Sequence, residues 1–434
     1  MQINKINYPE NIKRLDLSKR PKKQRWYIQI LIFIISALMI IGKKRKIIKI
    51  NMEGLKKTPY LLLCTHMQFL DFAVAMKAAA PRKVNNVVAI DAFDFKRFLL
   101  YPGGCFEKRK FTNEIYTVKN IMYCLKKLKS VACIYPEARY SQLGTTAILP
   151  DSLGKMIKML KVPAVTLVFN GHYLMKPTWG DGKTRKEVPI KATMKQILTQ
   201  EQAENYSIGE INAILRKEFE YDEYKYWRET GFKITYKNRA QGIHNVLYKC
   251  PDCGAEYETA SAGAEIKCNK CKSVWELTET GEIKSLTGET RFKYVPDWCE
   301  WERAEVKKEL ESGTYEFTDN PEAVSQPHGK YAIPLGKTNF KHNCEGFNIT
   351  GNYNGEDFNI VKLPLENYGV QTEFFFPRLK KKHTIGLSAD DDTFYFFPTK
   401  EGMPQKLYFA VEELYKIKHA AVIADREAAQ RLSE

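Results

Sequence analysis

No hydrophobic run in this 434-residue chain approaches the ~20 apolar residues that a helix needs to span a bilayer. That argues against a simple crossing and for a shallow, membrane-embedded helix. The longest run, 28–41, carries Trp26 and Tyr27 at its head and is followed by Lys43, Lys44, Arg45, Lys46 and Lys49. A cleavable signal peptide wants small residues there, so secretion is disfavoured and a reducing compartment is expected. Internal repeats and long low-complexity tracts are also missing. Apolar and charged content are ordinary, which argues against wholesale disorder. Acidic residues are in short supply: 51 against 68 Lys and Arg, a formal charge of +17. Such an excess calls for an anionic partner.

The positive charge is placed informatively. Lys13, Arg14, Lys19, Arg20, Lys22, Lys23 and Arg25 precede the apolar run. Aromatic residues prefer the headgroup level, and basic flanks attract anionic lipid. A signal peptide and a buried soluble helix compete as readings. The best fit is a membrane-embedded or interfacial segment with both flanks on the cytoplasmic face, in a bacterium that of the inner membrane. The length suggests several domains. The expected organisation is a basic anchor at 1–55, an α/β domain at 56–231, a linker and metal ribbon at 232–285, and a β-rich domain at 286–434.

Short, fully apolar stretches at 59–64, 87–90, 131–135 and 164–169 read as buried parallel strands. Between them, 72–80, 117–128 and 153–160 have helical character, giving an α/β fold. A longer helix is expected over 207–227, with Ser207 and Glu210 at capping-box spacing. Beyond about 291, short strands at 315–317, 331–334, 347–350, 358–361, 373–376 and 394–397 precede a tail helix at 406–419. This order suggests a pleckstrin-homology-like binding module, by analogy alone. The basic stretch 378–382 is a candidate membrane contact, or a solvated loop.

Ten cysteines are present. Six are scattered: Cys64, Cys105, Cys124, Cys133, Cys299 and Cys344. The other four form two pairs, Cys250-x-x-Cys253 and Cys268-x-x-Cys271, separated by fourteen residues. Two such knuckles can present four thiolates tetrahedrally, the pattern of structural zinc. Four protein ligands leave no open position for catalysis. Glu256, Glu258 and Glu265 alternate with Lys267, Lys270 and Lys272, so the ribbon has no one-signed basic face, and nucleic acid is not an expected partner.

His66 follows the first strand, with Asp71 five residues on. Residues just past the carboxyl ends of parallel strands line the crevice of α/β proteins. An imidazole in that turn, fixed by a carboxylate in the next helix, can take a proton from an alcohol. Further motifs follow in order: Gly103-Gly104-Cys105-Phe106-Glu107-Lys108-Arg109, Tyr135-Pro136-Glu137-Ala138-Arg139-Tyr140-Ser141, and Val162-Pro163-Ala164-Val165.

With His66 and Asp71, these four blocks over about 25–225 resemble the glycerolipid acyltransferases of the lysophosphatidate acyltransferase type. Two departures stand out. The family often has Asn before its His and Ser two residues after, where Thr65 and Gln68 stand here. Its Phe-Pro-Glu-Gly-Thr-Arg-Ser becomes a block in which the arginine sits one position early. The resemblance implies transfer of an acyl group from acyl-CoA or acyl carrier protein to a lysophospholipid hydroxyl, with 1-acylglycerol 3-phosphate the first choice, in phospholipid biosynthesis. His66 and Asp71 would be catalytic, and Gly104, Phe106, Arg109, Glu137 and Arg139 would bind substrate. Cys64, two residues before His66, is an alternative nucleophile, though a packed core thiol and direct transfer fit better. The altered third motif also admits a membrane-tethered, lipid-binding scaffold with an inactive acyltransferase fold.

Overall fold

In the computed structural model, the described residues are 2–3, 6–42, 45–93, 97–112, 114–376, 381–389 and 391–433. A seven-stranded sheet organises the first half. Its order is Arg45–Ile50, Ile190–Leu198, Ala164–Asn170, Leu61–Cys64, Val131–Ile134, Val84–Ala89, Phe106–Lys108. The last five run parallel; four of them overlap the expected apolar strands, and Phe106–Lys108, with two charged residues, was not expected. Ile190–Leu198 runs antiparallel to Ala164–Asn170 and carries Arg45–Ile50 parallel to itself at the edge. The sheet thus reaches back into the segment expected to be anchor. Neither of these two strands was legible as an apolar run, because lysines alternate with their aliphatic residues.

Pleating sends Leu61 and Leu63 into one core and Leu62 and Cys64 into the other. Helices Ile115–Lys126, Ser152–Leu160 and Ile208–Glu218 cover the first face through Ile121, Leu125, Ile157, Leu160, Ile211 and Leu215. Helix Leu70–Ala79 lies on the second. The helix expected over 207–227 is two, Ile208–Glu218 and Glu223–Thr230. The Ser207–Glu210 capping box forms. The break comes at Asp222, whose carboxylate accepts from the amides of Tyr224 and Lys225 and starts the second helix.

Helix Trp26–Ile40 packs on Leu70–Ala79 with Ile28, Ile32 and Ser36 inward. It turns Trp26 (68 % exposed), Ile30, Phe33, Ile34 and Leu38 (63 %) outward; Phe98 (80 %) is a further exposed aromatic residue. No helix among the described residues is long and apolar enough to cross a membrane.

After the α/β layer, four antiparallel strands (Thr259–Ala262, Glu265–Cys268, Val274–Leu277, Ile283–Ser285) build the cysteine ribbon. Helix Val295–Glu311, absent from the sequence reading, leads into a nine-stranded antiparallel sheet. The predicted C-terminal strands all fall in it. The segment at 331–334 is the start of a longer strand, Ile333–Asn343. The sheet also takes in Gln2–Ile3, which pairs with Glu356–Lys362. Close by, the Tyr8 hydroxyl donates to Asp392 over 2.7 Å. The tail helix, Met403–Ser433, is longer than predicted. Positions 378–380 of the basic stretch, like Lys43 and Lys44, lie outside the described residues.

Candidate active site and metal centre

Three neighbouring parallel strands end side by side and deliver the site. His66 follows Leu61–Cys64, Tyr135 follows Val131–Ile134, and His172 follows Ala164–Asn170. The Thr65 amide donates to Leu167 and its hydroxyl accepts from Phe169, which pins the turn that holds His66.

Asp71 sits in the first turn of Leu70–Ala79, facing back. Its Oδ2 accepts from the Met67 amide (2.5 Å), the Gln68 amide (2.8 Å) and His66 Nδ1 (3.2 Å). Burial opposes the charge on Asp71. The bonds from His172 and His66 outweigh it and hold the carboxyl below its usual range. Burial is also the main reason the His66 imidazole is pushed below its ordinary value. The Asp71 charge opposes this shift, and the nearby Lys110 charge adds to it. His66 is therefore neutral at pH 7, with its proton on Nδ1 facing the carboxylate. That leaves the Nε2 lone pair as the basic atom. The side chain is 21 % exposed.

The segment 135–141 folds over this imidazole. The Tyr135 and Tyr140 rings lie 4.1 and 4.3 Å from it, centroid to centroid. The Ser141 amide donates to the His66 carbonyl over 2.6 Å. The turn requires φ +58° at Ala138. An L side chain there costs roughly 1–2 kcal/mol.

The residues expected to bind substrate are placed otherwise. Arg109 is fully buried and donates to the Pro327 carbonyl over 3.1 Å. Arg139 is buried against Tyr408, pairs with Glu412 of the tail helix and donates to the Val370 carbonyl. Both guanidinium groups are thus committed to the C-terminal half rather than turned towards His66. Glu137 is buried beneath the turn and accepts from the Tyr221 hydroxyl over 3.0 Å. Burial pushes its carboxyl up to about 8, against that hydrogen bond and the Arg139 charge. It stays protonated at neutral pH and is a structural acid. Gly104 (φ +82°) gives its carbonyl to Asn85, and an added Cβ would meet that amide at 2.9 Å. Phe106 is core. Cys64 is wholly buried, and burial pushes its thiol well up, which suits packing and not attack.

Two further side chains approach the site: Lys110, which the sequence offers as a contributor of positive field, and His172, which escaped the sequence reading. Lys110 is ion-paired with Asp91 (3.2 Å) and Glu373 (3.6 Å), the latter from the C-terminal sheet. His172 donates through Nδ1 to Asp71 Oδ1 over 2.7 Å. Its only sequence signal was its position just past the fourth apolar strand.

With this geometry in view, no family model matches the chain, and no curated protein matches its sequence. One similar solved structure is the 1-acyl-sn-glycerophosphate acyltransferase PlsC from Thermotoga maritima. The identity is 10 % and the TM-score 0.34, over 44 % of this chain and 78 % of that one.

In the ribbon, Cys250, Cys253, Cys268 and Cys271 place their sulfur atoms within 4.8 Å of one another, close enough to hold a metal ion. The Cys250–Cys271 and Cys253–Cys268 separations are 3.6 and 3.8 Å. Four thiolates at the usual Zn–S length would stand about 3.8 Å apart.

Proposed function

We propose that this protein is an acyltransferase in which His66 Nε2 removes the proton from a lipid hydroxyl as that oxygen attacks an acyl thioester. The supporting observation is the His66–Asp71 pair at the carboxyl edge of a parallel sheet, with the imidazole flanked by two tyrosines and its side chain 21 % exposed. Asp71 fixes the tautomer. The imidazolium then returns the proton to the departing thiolate. The donor is acyl-CoA or acyl carrier protein, and the acceptor a lysophospholipid, with 1-acylglycerol 3-phosphate first on the strength of the motif resemblance. The outward face of Trp26–Ile40 with Phe98 would lie in the headgroup region of an anionic cytoplasmic leaflet, and the ion held by the four cysteines would be structural zinc.

Incubation with labelled acyl donors and a panel of lysolipids tests this. Turnover that disappears in His66→Ala supports it. No transfer to any acceptor in the presence of anionic vesicles defeats it. The burial of Arg109 and Arg139 favours a second reading, a membrane-tethered lipid-binding scaffold without turnover. That reading predicts lipid binding unchanged in His66→Ala.

A further inference from the structure

Asp71 is shared between two imidazoles. Its Oδ2 takes three donors, from Met67, Gln68 and His66. Its Oδ1 takes one, from His172. Both Asp71 and His172 are completely enclosed. An enclosed carboxylate oxygen without a donor is costly, so removing His172 would leave Oδ1 bare and the carboxyl free to turn or to protonate.

His172 is itself firmly held. Gly171, at φ +78°, brings the backbone so close to Pro189 that a Cβ would lie 2.1 Å from its carbonyl oxygen. The Gly171 and Tyr173 amides donate to Glu223. The Gln68 side chain donates to the His172 carbonyl over 2.5 Å. The ring stacks on Phe169 at 4.6 Å. A carboxylate only accepts, so His172 Nδ1 carries the proton. Its Nε2 is buried with no hydrogen-bond partner, which suits a bare nitrogen and penalises an N–H.

We propose that His172 is a positioning residue that locks the Asp71 carboxylate with Oδ2 turned to His66, completing a His–Asp–His line that joins two strand ends through the first turn of a helix. This rests on the reading of His66 as the base. It acts through Asp71 and touches no substrate. The other groups facing the line are Lys110, Glu137, Glu223, Tyr135, Tyr140 and Cys64, so its protonation is read at the histidines themselves.

The test is nitrogen NMR of the full chain labelled at histidine. In the unaltered protein the neutral His172 ring is expected to carry its proton on Nδ1. In His172→Phe, the His66 titration point should fall by about one unit and its Nδ1–H fraction should drop. His172→Asn, whose amide can donate from the same place, should restore both. A proton on His172 Nε2 in the unaltered chain overturns the proposal, and this needs no variant to fold. So does a folded His172→Phe in which His66 is unchanged. Absence of acyl transfer by the unaltered chain would defeat the proposed activity and leave this line intact.

Discussion

The mouth of the parallel sheet and the cysteine ribbon are each built around a small cluster of polar side chains, and they are held in opposite ways. The ribbon's four sulfur atoms come from two tight turns within 22 consecutive residues. They lie close enough to hold a metal ion between them. At the sheet mouth a single carboxylate collects four donors, one of them 101 residues away, and the cluster is complete without any ion. If zinc fills the ribbon's site, that centre depends on a ligand and the other on the fold. They should therefore fail differently.

The largest effect is expected at the ribbon. Structural zinc in small modules carries apparent binding free energies of about 10–16 kcal/mol. Chelation, or Cys250→Ser with Cys268→Ser, should melt the ribbon while the seven-stranded sheet keeps its core. Metal analysis together with hydrogen exchange measures this. Retained ribbon protection after metal loss would erase the contrast. Next comes His66→Ala, which should cost roughly 10²–10⁴ in turnover and leave circular dichroism and the unfolding midpoint unchanged. Loss of stability instead would make the imidazole a packing element.

Arg139→Ala comes third. Breaking its buried pair with Glu412 should cost about 3–5 kcal/mol in urea unfolding, with the acceptor KM unmoved in whatever protein stays folded. A raised KM with unchanged stability would return Arg139 to substrate binding. The smallest effect concerns Glu137, held up to about 8 by burial. The folded state keeps this proton after the unfolded chain has lost it. The contribution is full below the ordinary glutamate range and is lost as pH rises through about 8. Glu137→Gln should flatten that decline by up to about 1.4 kcal/mol per pH unit. Glu223, also raised to about 8 by burial, leaves a residual slope.

The sequence was readable where structure is local. Leu61–Cys64 and Val131–Ile134 declare themselves because every residue is apolar and enclosed on both faces. The Ser207–Glu210 box needs only three residues of spacing, and the cysteine knuckles need four each. The fates of Arg109 and Arg139 were not readable. Their partners, Pro327 and Glu412, lie 218 and 273 residues on, and nothing local separates a guanidinium awaiting phosphate from one buried against a distant helix. Arg45–Ile50 was hidden for another reason. It is an edge strand in which no residue is fully buried, so it carries only a weak apolar signature.

The pairing of Gln2–Ile3 with Glu356–Lys362, and of Tyr8 with Asp392, sets an order of events during synthesis. Those early residues are 384 positions ahead of their partner in the Tyr8–Asp392 bond, a wait of roughly 20–75 s at ordinary elongation rates. For most of it, the apolar face of Trp26–Ile40 has already been synthesised. A lipid surface met in that interval would be reached by a nascent chain, before the last sheet closes around its beginning.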